Sequence, residues 1–173
     1  MTMKTMRKIS LGLSILAALG LANGCSARAK YENFTEKLTC GKANFTIKSE
    51  CKKAADSMSL NECKPQTLAI EHDKSIRTAT LPELNKSDLS SIIENGGDKD
   101  DLYVIKWGCG DGQSGKVALL YYSIGGGSAP YSEVWVQYDE SGRIVTGKTG
   151  GLDEKSLIKT QKEMKKVRSI MPN

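Results

Sequence analysis

The chain has 173 residues and a formal net charge of +5, the length of one ordinary domain with a modest basic excess. Three of its basic residues, Lys4, Arg7 and Lys8, lie before Cys25 with no acid among them, and without them the charge falls to +2. That residual charge is too small to indicate a nucleic-acid-binding protein, which needs a concentrated basic patch.

The positive start is followed by an uncharged apolar run from Ile9 to Leu21. This run is too short for a membrane-spanning anchor, which needs about 20 apolar residues. A basic start, a short apolar core and then small residues form a secretory signal pattern, so residues 1–24 are read as a signal peptide. Cys25 follows directly, in Leu21-Ala22-Asn23-Gly24-Cys25. The segment resembles the bacterial lipoprotein signal, in which the cysteine becomes the lipidated first residue. By that resemblance Cys25 carries a lipid, and Ser26 after it implies sorting to the outer membrane, facing the periplasm. Cleavage after Ala27-Arg28-Ala29 by an ordinary signal peptidase would instead discard Cys25. Either way Cys40, Cys51, Cys63 and Cys109 remain, an even set suited to an oxidising compartment. Two pairings are open: Cys51–Cys63 with Cys40–Cys109, or Cys40–Cys51 with Cys63–Cys109. The wide spacings and the single histidine, His72, argue against zinc.

Residues 25–39 are polar and read as a tether or an ordered first turn. The folded domain is expected over 40–150. Phe45 and Ile47 alternate with Thr46 and Lys48, the period of a half-buried strand. Lys52 to Leu60 fits a short helical turn. Gln66–Glu71 and Lys74–Thr80 are strand-like, with His72-Asp73 as a tight turn between them. Ser87 to Glu94 predicts a short helix capped by Ser87 and stopped by Asn95-Gly96-Gly97. Leu102–Cys109 is expected to place Tyr103, Ile105, Trp107 and Cys109 on one face. Lys116–Ile124 is apolar on both faces, as a central strand would be. Ser132–Tyr138 alternates Val134, Val136 and Tyr138 against Glu133, Trp135 and Gln137, and a turn at 139–142 leads into Arg143–Lys148. Short connections between these strands predict an antiparallel meander. Residues 151–173 are expected to form a C-terminal basic amphipathic helix capped by Asp153. Its thin apolar stripe is Leu157, Met164, Val167 and Met171. The expected fold is therefore mainly β: an antiparallel sandwich or small open barrel of about seven strands, with one internal and one C-terminal helix. Phe45, Leu68, Ile70, Ile105, Trp107, Leu119, Val134 and Val136 are the expected core.

The residues offer little chemistry. There is no nucleophile elbow, no dinucleotide fingerprint and no P-loop. Gly125-Gly126-Gly127 opens no helix that could bind phosphate. Asp98, Asp100 and Asp101 lack calcium-loop spacing. The sequons at Asn33, Asn44 and Asn85 are coincidental in a bacterial chain. No catalytic set, metal or cofactor is expected, and the chain is read as a non-enzyme. The one suggestive feature is the Gly-rich loop between two strong strands. Gly125, Gly126, Gly127, Tyr131 and Trp135 are the expected partner-binding residues, with Tyr122 completing an aromatic patch.

The run WGC before a strand, then YYSIGGG and EVWVQYDESGRIV, resembles in layout small envelope proteins of Gram-negative bacteria over about residues 40–147. Some proteins of that build are lysozyme inhibitors, and others are periplasmic immunity proteins against antibacterial effectors. Ser114-Gly115 is followed here by Lys116-Val117, and Trp135 by Val136-Gln137, which departs from the C-type lysozyme-inhibitor pattern. No inhibitory residue is carried over. The resemblance implies a tethered periplasmic protein that occludes a cell-wall- or membrane-attacking enzyme. The alternative is a structural or assembly lipoprotein of the envelope, and a hydrolase using Asp and Glu alone is the remaining class.

Overall fold

A computed structural model describes residues 31–52, 62–124 and 132–167. The signal segment, Cys25, the predicted helical turn at 52–60 apart from Lys52, which ends a strand, the loop residues Gly125, Gly126, Gly127 and Tyr131, and Met171 lie outside the described residues.

Two antiparallel sheets face each other as a sandwich, and the described residues form no closed barrel. Sheet A has the order β1 (Tyr31–Cys40), β2 (Ala43–Lys52), β3 (Glu62–His72), β4 (Ser75–Leu81). Sheet B has the order β8 (Ile144–Val145), β7 (Glu133–Asp139), β6 (Gly115–Ser123), β5 (Tyr103–Gly112), β9 (Lys165–Lys166). Between the sheets in sequence lies helix α1 (Lys86–Glu94), and α2 (Glu154–Glu163) precedes β9. The seven predicted strands correspond to β2 through β8, and β1 and β9 are additional.

Turn chemistry fixes the hairpins. Between β3 and β4 the two turn residues are Asp73 and Lys74, both at positive φ, which is the mirror-image turn that matches strand twist. His72 therefore ends β3 and is not a turn residue. Between β1 and β2, Gly41 takes φ +63°. An added Cβ there would also crowd the Glu140 carboxylate and lie 2.9 Å from Lys116 Cβ, so both conformation and space favour glycine. That carboxylate accepts the Lys42 N–H at 3.1 Å and the Lys116 N–H at 3.3 Å, joining turns of both sheets.

The core follows from the alternation. Ala43, Phe45 and Ile47 of β2 and Leu68 and Ile70 of β3 pack against Trp107, Ala118, Leu120, Tyr122, Val134, Val136 and Tyr138 of sheet B. Ile92 of α1 closes one side of this cluster. The helix is capped by Asn85, not Ser87: the Asn85 side chain accepts the Asp88 N–H at 2.9 Å. Two expected core residues sit elsewhere. Leu119 belongs to a second cluster on the outer face of sheet B, with Val117, Val145 and Leu152. Ile105 is partly buried beside Tyr103 and the Cys51–Cys63 pair.

The reason for Ile105 is a bulge. Val104 pairs with Tyr122 but Lys106 with Tyr121, so one residue of β5 has no partner. Tyr103 and Ile105 thus part from Trp107 and Cys109, and the expected single face does not exist. Gln66, only 2% exposed, fills the gap from the opposite sheet. Its Oε1 accepts the Val104 N–H at 2.6 Å, and its Nε2 donates to the Val104 carbonyl at 3.2 Å and to Ser49 Oγ at 3.0 Å. Every strong polar group of the amide is satisfied inside the core.

The cysteines form Cys40–Cys109 and Cys51–Cys63. The first ties β1 of sheet A to β5 of sheet B, and the second joins directly paired residues of β2 and β3.

The ends depart from expectation. Residues 31–39, read as tether, are strand β1, and residues 151–173 are not one helix. Asp153 caps α2 as predicted, accepting the Ser156 N–H at 2.7 Å, but the helix stops at Glu163. Val167 is buried in the sandwich core, and its N–H donates to the Ile105 carbonyl at 2.9 Å. Continuing a lysine-rich helix with a thin stripe would forfeit that burial. α2 lies on the outer face of sheet B, where Gly108 and Gly110 leave room for it. A Cβ on Gly110 would meet Thr160 Oγ1 at 2.2 Å, and one on Gly108 would meet Met164 Cγ at 3.1 Å.

Two stability predictions follow from these contacts. Replacing Cys40 and Cys109 by Ser removes closure of a 69-residue separation and should cost about 4 kcal/mol by urea unfolding, against about 3 kcal/mol for the pair separated by 12. Gln66→Leu leaves the Val104 N–H and carbonyl buried without partners and should cost about 2–3 kcal/mol. Hydrogen exchange at Val104 should accelerate in that variant, and an unchanged rate would dissociate the amide from the bulge.

Candidate functional surface on sheet B

α2 and the segment before it cover only part of the outer face of sheet B. Beneath them lie Gly108, Gly110, Val117, Leu119 and Val145. Beyond the C-terminus of α2 one row crosses four strands, with Tyr121 buried and the other three residues partly or fully exposed. Lys166 of β9 pairs with Lys106 of β5, Lys106 with Tyr121 of β6, and Tyr121 with Trp135 of β7. Directly paired residues share a face, so the four side chains stand in line across ~14 Å at the usual strand spacing.

The row has two halves. Tyr121 and Trp135 stack with ring centroids 4.3 Å apart and planes inclined by 26°. Lys106 Nζ lies 5.9 Å from the Tyr121 centroid, a cation–π distance. Trp135 is partly exposed, and both lysines are exposed. Neither lysine takes part in an ion pair among the described residues. Like charges directly opposite on a ladder are unfavourable. Glu133, two pairs further along β7, is exposed and hydrogen-bonds Tyr121.

Of the expected binding residues, only Trp135 is described, and it lies in this row. The aromatic beside it is Tyr121. Tyr122 is fully buried in the sandwich, because its partner across the ladder is Val134, an inward residue. A one-residue register difference moves a side chain to the other face. Trp135 was placed opposite Val134 and Val136 by alternation alone, but choosing between Tyr121 and Tyr122 needs the β6–β7 register. Lys106 and Lys166 were missed because their juxtaposition depends on the pairing of β9.

The other candidate residues have structural surroundings. His72 Nε2 lies 3.5 Å from Asp73 and 3.8 Å from Glu140, at the rim of a polar depression of 440 Å³ near Lys116 and Arg143. Asp98 caps a short 3-10 turn over Lys99–Asp101, accepting the Asp100 N–H at 2.9 Å, and Asp101 meets Lys64 at 3.2 Å. A second, mainly apolar depression of 340 Å³ opens between Pro65, Leu81, Pro82, Leu102 and Tyr103. Among the described residues no three His, Cys, Asp or Glu side chains gather as metal ligands, and no helix is long and apolar enough to cross a membrane. Compared with known proteins, the chain matches no family model, no curated protein and no solved structure.

Burial first, then the hydrogen bond to the Glu133 carboxylate, push the Tyr121 phenol up to about 12. Burial likewise raises Tyr122 and Tyr138 above the ordinary value of 10. The folded state favours the neutral phenols, while in the unfolded chain they ionise near 10. The stability they confer is therefore complete below pH 10 and is lost as pH rises toward 12 and beyond. Unfolding followed against pH should show that alkaline decline, and Glu133→Gln should lower the Tyr121 titration midpoint seen by phenolate absorbance. A midpoint unmoved by that change would separate Tyr121 from Glu133.

Proposed function

We propose that the chain is an exported, non-catalytic binding protein, tethered by a lipid on Cys25 to the outer membrane. In this reading it works in the periplasm, as an inhibitor or immunity protein, by occluding an enzyme that attacks the cell wall or membrane. The observation that carries this reading is the row Lys166–Lys106–Tyr121–Trp135, held on strands of a disulfide-tied sandwich. A partly exposed Trp backed by a stacked Tyr is the type of residue that anchors a protein interface. Two lysines that form no ion pair among the described residues favour a partner surface that carries carboxylates. The two disulfides support an oxidising compartment, in keeping with the signal pattern before Cys25. Because the row sits on paired strands, little ordering entropy is lost when a partner docks.

The exposed side of α2 supports a second reading, a structural or assembly lipoprotein of the envelope. Lys155, Lys159 and Lys162 are exposed there, with Ile158 among them.

The test is a peptidoglycan clearing assay with a panel of muramidases and amidases, with and without the purified chain. An inhibited enzyme is expected, with inhibition weakening as salt rises. Trp135→Ala should weaken it roughly 30-fold, the effect of losing an interface anchor. The double change Lys106→Glu, Lys166→Glu, at exposed positions that leave the core intact, should abolish it. If no enzyme is slowed, or the double variant inhibits as well as the parent, the occlusion reading is wrong. Recovery of the double variant in an intact envelope complex would then favour the assembly reading.

A further inference from the structure

Sheet B ends on both sides in two-residue strands, β8 and β9, which offer almost no edge to another chain. Sheet A ends in two long strands, β1 and β4, and among the described residues neither has a neighbour on its outer side. Long free edges are a hazard that proteins guard with charge, especially lysine. β1 is guarded: Glu32, Glu36 and Lys37 lie along it. β4 reads Ser-Ile-Arg-Thr-Ala-Thr-Leu, and its one charge, Arg77, is partly buried and bound to Glu83.

The direction of the free main-chain groups on β4 follows from the hairpin. Asp73 and Lys74 form a two-residue turn, so the flanking pair His72 and Ser75 exchange hydrogen bonds. The β3–β4 register then runs without a break from His72–Ser75 to Gln66–Leu81. Every second residue from Ser75 therefore bonds inward to β3, and Ile76, Thr78 and Thr80 point their N–H and carbonyl groups outward. These three are also the residues whose side chains stand on the exposed face, with Ile76 70% exposed.

We propose that β4 is the docking edge for a second copy of this chain, the two β4 strands pairing antiparallel about Thr78. The outward set is symmetric about that residue. Thr78 would face Thr78 of the second copy, and Ile76 would face Thr80, each pair exchanging both main-chain bonds. Arg77 would face Ala79 in the intervening pair. No like charges meet, and the exposed Ile76 side chain gains a cover from the Thr80 methyl group. The same symmetry makes the contact isologous, so it closes at two copies and does not propagate. A two-fold axis normal to sheet A keeps both sheets B on one side. The outer faces that carry Lys106 and Trp135 are then free in both copies and point the same way, giving a bivalent arrangement. The dimer does not depend on the partner proposed for that face.

Sedimentation velocity of the purified chain over a dilution series tests this. The expected result is a species of twice the chain mass that dissociates on dilution. Thr78→Lys, which sets two lysines opposite each other at the axis, should return it to a monomer with an unchanged circular dichroism spectrum. Thr78→Cys should give a disulfide-linked dimer under mild oxidation, because such paired residues lie about 5.5 Å apart at Cα, within bonding reach. A chain that stays monomeric at every concentration overturns the proposal. So does a dimer that survives Thr78→Lys, which would place the contact elsewhere.

Discussion

Sheet B is apolar on both faces, and the rest of the molecule is arranged around covering them. Every residue of β6 from Val117 to Ser123 is buried. A strand of that kind is stable only between two layers. Sheet A covers one face with Phe45, Ile47, Leu68 and Ile70. The other face is left to a ten-residue helix and the segment leading into it. On β5 the outward positions are Lys106, Gly108 and Gly110. The helix sits where glycine lets it approach and ends where the lysine begins. The row thus begins where the helix ends: its two lysines reach solvent, Trp135 is partly exposed, and Tyr121 is buried beneath them.

The two layers are held in register by contacts of different kinds. Cys40–Cys109 joins them covalently. The Gln66 amide joins them through the main chain of Val104, and the Glu140 carboxylate joins their turns. The last two are buried or half-buried polar contacts whose geometry is specific, so they select one arrangement of the sheets among many apolar packings. A surface built on strands fixed this way is pre-organised, as the proposed binding role would require.

The strands, the tight turn after β3 and the two-sided character of β6 were legible because period and turn residues are local signals. The cysteine pairing was narrowed to two choices by spacing and decided by the β2–β3 register. Other features escaped because they depend on distant neighbours. β1 is a polar edge strand, with half-buried Phe34, Glu36 and Leu38 between exposed residues, so its alternation is weak in composition. The bulge at Ile105 leaves no mark in the sequence of β5; its counterpart is Gln66, whose side chain reads as a strand's polar residue until the opposite sheet is known. Val167 reads as one position of a helical stripe because the stripe and the core position differ only in what lies across from them.

The placement of β9 shows how far stability alone accounts for the row. Burial of Val167 and its bond to Ile105 explain why the chain returns to β5 after α2. They also fix Lys166 opposite Lys106. They do not explain why both positions hold lysine. An acid at either would form a cross-strand ion pair, and such pairs contribute roughly 0.2–1 kcal/mol where like charges cost a similar amount. The packing thus dictates where position 166 lies and leaves its charge free. The packing therefore leaves unexplained a charge pattern beside a stacked, partly exposed Trp, and the carboxylate-bearing partner proposed above would supply its missing counter-charge.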